Sequence, residues 1–307
     1  MVEEQAVPSR RGCGAAAAYY LAVEAHPEYR ERQRELEGTT AQRMALGTAA
    51  LAPEGPIIIP VVVHVVYNED SENISDAQIE SQISVLNQDF AAQNPNQANV
   101  PAIWEGFVAD TNIQFALASE DPAGDATPGI TRTETDSTAF GVDDSVKSAA
   151  TGGVDPWPTD RYLNMWVCTL AGGLLGYAQF PGGLPETDGV VIRNTAFGTT
   201  GTAAAPFNGG QTATHEVGHF LNLYHIWGLY DDCTGGDRVA DTPNAAGPNY
   251  GEPNFPHVSC NNGPYGDMYC NFMDYVNDAH MFMFTPQQVA RMMATLEGPL
   301  SGLARRS

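Results

Sequence analysis

The stretch from His215 to His225, His-Glu-Val-Gly-His-Phe-Leu-Asn-Leu-Tyr-His, constrains this chain more than any other feature. Residues four apart on an α-helix lie on one face a turn apart, so His215 and His219 present two imidazoles to one ion. Glu216 stands beside them as a general base toward a water that the ion acidifies. A catalytic zinc keeps three protein ligands, and His225 is the candidate third. On a continuous helix it would lie roughly 240° around from His219, on the wrong side, so the helix must end between them. Asn222 supplies the break, since asparagine, after glycine, most readily takes the left-handed conformation that ends helices. The other zinc-peptidase arrangement needs a glutamate from a later helix. The next one is Glu252, in a Pro- and Asn-rich loop, which makes that arrangement a poor fit.

The rest of the chain sets bounds on this reading. With 307 residues, 43% of them hydrophobic and 17% charged, it can bury a sizeable core as one large or two small globular units. A formal net charge of −23 argues against nucleic acid and anionic membrane surfaces as partners. No apolar run is long enough to span a bilayer. Met1-Val2-Glu3-Glu4 is not a signal peptide, and we expect a signal to have been removed before this numbering begins.

Residues before about Gly55 form a separate segment, Ala-rich at 15–18 and then alternating in charge, which reads as short helices without a core of their own. Ile57 to Val66 is a β-branched run typical of a strand buried on both faces, in which His64 reads as a satisfied core histidine. Ser75 and Gln78 predict a capping box ahead of a helix with Ile79, Ile83, Leu86 and Phe90 on its inner face. Further strands are predicted at 113–117, 162–170 and 188–192, with an edge strand at 175–181 bounded by glycines and Pro181. That edge either holds an extended peptide or is simply blunted against aggregation. Beyond His225 the chain is irregular up to Thr285, which caps a closing helix with Pro286 at its first position and Val289, Met292, Met293 and Leu296 inward. Cys233 and Cys260 bracket the loop for a stabilising bridge. Cys168 reads as core, and Cys270 is either free or a competitor for that bridge.

The histidine run resembles the metzincin signature, in which glycine usually stands where this chain has Asn222. Asn271-Phe272-Met273-Asp274-Tyr275 resembles the methionine turn beneath the zinc of that clan. With Asp237-Arg238-Val239-Ala240-Asp241-Thr242-Pro243 and Met283-Phe284-Thr285-Pro286, the chain is similar over about residues 55 to 300 to the pappalysin (cytophagalysin) family. The resemblance implies an α/β (α+β) metzincin-like domain: a mixed twisted sheet with a backing helix and the zinc helix, then an irregular C-terminal subdomain with a closing helix. It implies an inhibitory prosegment at 1–54 and a catalytic domain at 55–307, whose upper subdomain ends near 225 and whose lower one begins near 226. Cys13, in Arg11-Gly12-Cys13-Gly14, resembles a latency switch whose thiolate fills the open zinc position, the alternative being a cysteine without metal contact. Tyr275 resembles a tyrosine that assists the transition state, or is a packing residue. Asp237, the Ala240 carbonyl and Thr242 resemble calcium ligands, in a loop where Asp231, Asp232 and Asp241 also cluster; the alternative is a solvated acidic loop. The family's second disulfide in this region is expected to be absent, since Gly251 and His280 stand where its cysteines would be.

The resemblance to metzincins further implies that the chain after the methionine turn walls the pocket for the residue following the scissile bond. Asp278 there would favour Arg or Lys, unless the change at His280 turns it outward. The expectation is therefore a secreted zinc endopeptidase acting on proteins or peptides. Its rivals are an inactive zinc-bound scaffold, which would have no use for Glu216, and a calcium-dependent adhesive domain, which leaves the histidines unexplained.

Overall fold

The computed structural model describes residues 7–46, 55–229 and 232–306; the expected domain boundary at 54, the opening Met1-Val2-Glu3-Glu4 and Asp231 lie outside the described residues. In chain order the elements are α1 (Ala15–Ala25), α2 (Glu28–Ala45), β1 (Ile57–Tyr67), α3 (Asp76–Phe90), β2 (Ile113–Leu117), β3 (Ile130–Glu134), β4 (Leu163–Cys168), β5 (Gly176–Ala178), β6 (Val190–Arg193), α4 (Gln211–Phe220), β7 (Tyr250–Gly251), β8 (Tyr275–Val276), α5 (Pro286–Leu296) and β9 (Arg305–Arg306).

The β-branched run forms β1, the centre of a mixed sheet that has seven strands among the described residues. Its first half pairs in parallel with β2 and its second half with β3, while β4 takes the other edge, also in parallel. Beyond β4 lie β6 and then β5, the last strand antiparallel to its neighbour. Successive side chains of β1 point to opposite faces, and because the apolar run is nearly unbroken both faces are buried. Ile57, Ile59, Val61, Val63 and Val65 join the main core with Ile79, Leu86 and Phe90 of α3. On the opposite face, Val66 packs with Trp166 and Val191, and Val62 with Tyr162. His64 is satisfied, with Nε2 2.9 Å from Asn164 Oδ1 and Nδ1 2.7 Å from Thr131 Oγ1. The strands β3 and β9 were not expected. The first is amphipathic only weakly, and the second is too short to show a pattern.

Ser75 caps α3 by accepting from the Gln78 amide at 3.2 Å, but the reciprocal half of the capping box does not form. The buried Gln78 side chain instead donates to Asn194 O, Phe197 O and Thr202 Oγ1, because the loop after β6 has carbonyls to satisfy there. At α5 the predicted cap forms fully, with Thr285 and Gln288 bonding reciprocally and Pro286 in the first turn.

The halves expected to meet near 225 share one hydrophobic core: Val61 and Met165 of the sheet belong to the same cluster as Phe272, Met283, Met292 and Leu296. Cys233 and Cys260 form a disulfide across 27 positions, worth about 3.5 kcal/mol in the chain-entropy account. Cys168 and Cys270 are buried and free. No helix is long and apolar enough to cross a membrane among the described residues. The N-terminal helices build no core of their own. Ala15 packs with Phe180 and Tyr224, the Tyr29 hydroxyl donates to Phe180 O at 2.5 Å, and Arg32 Nε donates to Gly182 O at 2.6 Å.

Candidate active site

The helix α4 is buried at every position, and Gly210, with φ 85°, starts it hard against Val85 of α3. Gln82 Nε2 donates to Gly210 O at 3.0 Å, fixing the helix start to the backing helix. His215 and His219 then point to one spot from adjacent turns. The helix ends at Phe220, and Asn222 follows with φ 73°, so the chain reverses and brings His225 to the same point. His219 Nε2 lies 3.1 Å from His215 Nε2 and 3.0 Å from His225 Nε2. Neighbouring imidazoles on one tetrahedral zinc stand roughly 3.3 Å apart, given bonds of about 2.05 Å, so this donor set fits that ion.

The protonation of the three rings suits a metal as well. His215 Nδ1 donates to Phe272 O at 2.7 Å and His219 Nδ1 to Leu223 O at 2.8 Å, which leaves Nε2 lone pairs facing inward. Burial lowers all three pKa values, that of His219 to about 4, so the rings are neutral ligands near pH 7. The His225 ring stacks on Trp227 at 4.4 Å, and Tyr275 meets it edge-on at 4.9 Å.

Met273 lies beneath this centre, fully buried, with its amide donating to Asn271 Oδ1 at 2.9 Å. Asn271 and Gln288 of α5 exchange side-chain bonds of 2.8 and 3.0 Å, so the closing helix holds the turn. A Cβ on Gly218 would stand 2.5 Å from Met273 Sδ, so the glycine inside the histidine motif is what lets the turn approach.

Cys13 Sγ, His215, His219 and His225 form the one cluster of metal-type ligands among the described residues, with donor atoms within 4.8 Å of one another. The segment carrying Cys13 lies along β5 in parallel: Gly14 N donates to Gly176 O at 2.8 Å, and Leu175 N to Gly12 O at 2.8 Å. A Cβ on Gly14 would meet Val142 Cγ1 at 2.5 Å, so this close approach needs the glycine. Cys13 Sγ stands 3.4 Å from Glu216 Oε2, and Tyr275 Oη donates to Cys13 O at 3.4 Å. Burial raises the Glu216 carboxyl to about 8 and, with the Glu216 charge, pushes the Cys13 thiol up. A thiolate there therefore calls for a cation amid the imidazoles.

Asp278 does not turn outward. It is buried, accepts from Gly209 N at 2.7 Å, and pairs with Arg11 NH2 at 2.5 Å. The same guanidinium donates to Thr212 Oγ1 at 3.0 Å and Val276 O at 3.2 Å. A cavity of about 430 Å³ lies alongside, lined in part by Asp278, Asp89 and Gly209. At the two positions that lack the cysteines of the family's second disulfide, Gly251 pairs with Val276 through β7 and β8, and His280 Nε2 lies 3.4 Å from Glu252 Oε1.

In the acidic loop, Thr242 Oγ1 donates to Asp237 Oδ2 at 2.7 Å, and burial raises that carboxyl to about 7. The Ala240 amide donates to Gln287 Oε1 at 2.7 Å, while Asp241 accepts from Thr285 Oγ1 and Gln287 N, both at 2.8 Å, at the start of α5. Asp232 is exposed and caps Thr234.

Three residues escaped the sequence reading. Gly176 of β5 leaves room for Glu216, whose Cγ would be 2.8 Å from a Cβ there; a glycine within a strand was the available signal. Glu37 and Arg291 meet across α2 and α5, 254 positions apart, and nothing in the sequence links them.

The family model described as peptidase M43, pregnancy-associated plasma protein-A, matches residues 148–297. An extracellular metalloprotease of Arthroderma otae is 33% identical over 258 residues, covering 80% of this chain and 82% of the relative. One of Pyricularia oryzae is 34% identical over 262 residues, covering 82% and 79%. These relatives carry the extracellular location that the sequence predicts for this chain. A single-residue variant of Tannerella forsythia promirolysin is 44% identical with a TM-score of 0.88, over 96% of this chain and 97% of that one. Mature mirolysin with a cleaved peptide is 49% identical with a TM-score of 0.78, over 82% of this chain and all of that one. With its histidine triad, mixed sheet and methionine turn, the chain belongs to the M43, or pappalysin, family of zinc metallopeptidases.

Proposed function

We propose that this chain is the latent form of an endopeptidase in which His215, His219 and His225 hold zinc, Cys13 blocks the site, and Asp278 selects Arg or Lys after the scissile bond. The observation that carries the reading is the convergence of Cys13 Sγ with three neutral imidazoles, within 4.8 Å, beside Glu216. A zinc ion held there supplies Lewis acidity to the scissile carbonyl and to the attacking water. Glu216 takes the proton from that water and hands it to the leaving nitrogen. Tyr275, packed against the His215 and His225 rings, has its hydroxyl near the reaction centre and donates to the developing oxyanion. The free edge of β5 bonds an extended substrate once the Cys13 segment has left.

The preference for a basic residue is supported by Arg11, which already occupies the Asp278 pocket with its charge neutralised and its donors paired. The division at 54 is supported by mature mirolysin, whose whole length is covered by 82% of this chain, the share that remains when the first 54 residues are left off. A calcium ion on Asp237, the Ala240 carbonyl and Thr242 would relieve the burial of the Asp237 charge. The decisive experiment digests a proteome-derived peptide library with the trimmed chain, its Asp278→Ala variant, and the trimmed chain with a chelator. Chelator-sensitive cleavage before Arg or Lys, lost in Asp278→Ala, is expected. Cleavage that survives chelation refutes the zinc assignment, and a basic preference unchanged by the substitution removes Asp278 from the pocket.

A further inference from the structure

Glu37, on the inner side of α2, is a buried carboxylate with no part in the zinc ligand set. Its Oε1 accepts from Arg291 NH2 at 2.6 Å and Asn222 Nδ2 at 3.1 Å, and the Tyr224 hydroxyl lies 3.4 Å away, its one proton shared with the nearer Gln33 Oε1 at 3.1 Å. Its Oε2 accepts from Arg238 NH1 at 2.9 Å and Arg291 NH1 at 3.2 Å. The Arg291 fork is bidentate, and its Nε is fixed by the carbonyl of Asn222 at 3.1 Å. Both arginines stand 5.3 Å from the Tyr224 ring centroid, and Arg238 is held with φ 66°, a conformation uncommon outside glycine. All the donors come from the catalytic part of the chain, and the acceptors, Glu37 and Gln33, come from α2.

Such a cradle does not vanish with its occupant. Arg291 is 2% exposed with α2 in place; when that helix leaves, its Nε stays bonded to the Asn222 carbonyl while its guanidinium is uncovered and loses the carboxylate that paired with it. Among the described residues, Glu37 is the carboxylate that hydrogen-bonds it. The cradle also borders the cleft. Tyr224 stacks on Phe180 at 5.3 Å, and Phe180 meets His219 at 5.2 Å. Because Cys13 pairs in parallel with Gly176, the path along β5 toward Phe180 leads away from Arg11 and Asp278. The carboxylate cradle and the Asp278 pocket thus flank the zinc centre on opposite sides.

We infer that Arg291, Arg238, Asn222 and Tyr224 form a carboxylate-binding site, filled by Glu37 in the latent chain and open after trimming to a carboxylate from another molecule. This rests on the reading of the N-terminal segment as a removable prosegment. The carboxylate comes either from an acidic side chain several residues before the scissile bond or from the released prosegment itself, and the test separates them.

Trimmed enzyme, freed of prosegment by gel filtration, is assayed on fluorogenic peptides that carry Glu or Gln at each position preceding the cleaved bond. At one such position Glu should lower KM about tenfold, the order expected of a charge-assisted pair, with kcat unchanged. Arg238→Gln, at a half-exposed position that tolerates the change, should raise the KM of the Glu peptide to that of the Gln peptide. The released prosegment left in the mixture should inhibit, and that released from a Glu37→Gln chain should inhibit less; the trimmed enzymes from both chains are identical. Glutarate should raise the melting temperature of trimmed wild type and not of Arg238→Gln, a readout that survives even if the trimmed chain lacks peptidase activity. The inference is overturned if Glu and Gln are equivalent at every position, both prosegments inhibit alike, and glutarate produces no shift.

Discussion

Arg11→Ala in the uncut chain tests whether the Asp278 pocket contributes to latency. The substitution removes three hydrogen bonds, to Asp278, Thr212 and Val276, and leaves a buried carboxylate without its counter-charge, held only by backbone amides. Removing one partner of a buried ion pair costs about 3–5 kcal/mol. Asp278 escapes part of this by taking up a proton, since burial raises its carboxyl even against the opposing Arg11 charge. We therefore take the lower end, about 3 kcal/mol, which at about 1.4 kcal/mol per factor of ten makes the open form of the uncut chain about a hundredfold more populated. The assay is initial turnover of a quenched peptide with a basic residue after the scissile bond, with chain integrity followed on gels. Residual activity should rise by about that factor, and trimming should be faster. The trimmed product lacks residue 11 and should match wild type, which separates loosened latency from altered catalysis. Residual activity and trimming rate both equal to wild type would refute the reasoning, leaving Cys13 to hold the segment unaided.

Glu216→Gln should retain zinc and melting temperature yet lose turnover of a casein-like substrate by several orders of magnitude, as metal analysis and peptidase assay will show. Calcium titrated at fixed zinc should raise the melting temperature and the activity of the chain through the Asp237 loop, by linkage of binding to folding; a flat melting curve would leave that loop as surface. Gly218→Ala should destabilise by about 1–3 kcal/mol in urea, since its Cβ would sit 2.5 Å from Met273 Sδ. The Glu37 carboxyl is buried, which alone would raise its pKa, but Arg291 and Arg238 hold it below its ordinary 4.5. Its contribution to latency is thus fully present above that value and lost as pH falls through the lower folded value, so the uncut chain should open in acid, and Glu37→Gln should remove that pH dependence.

The zinc site was legible because it is local. His215, Glu216 and His219 fall within one helix turn, and the left-handed preference of Asn222 implies the reversal that returns His225, so short-range geometry carries the whole ligand set. The strand β1 and the cap of α5 were legible for the same reason, through periodicity and capping chemistry. At Gln78 that local logic failed: a loop more than a hundred positions away needed its amide and took it. The seating of Met273 on Gly218, the place left for Glu216 at Gly176, the Arg11–Asp278 pair and the Glu37 cradle also lay beyond it. Each joins segments from tens to more than two hundred positions apart. A sequence states which side chains can ligate, cap or pair, because those capacities belong to the residue and its neighbours. Which cation meets which carboxylate is decided when the sheet and helices pack, for burial turns a pairing that would be weak in water into one whose loss is costly.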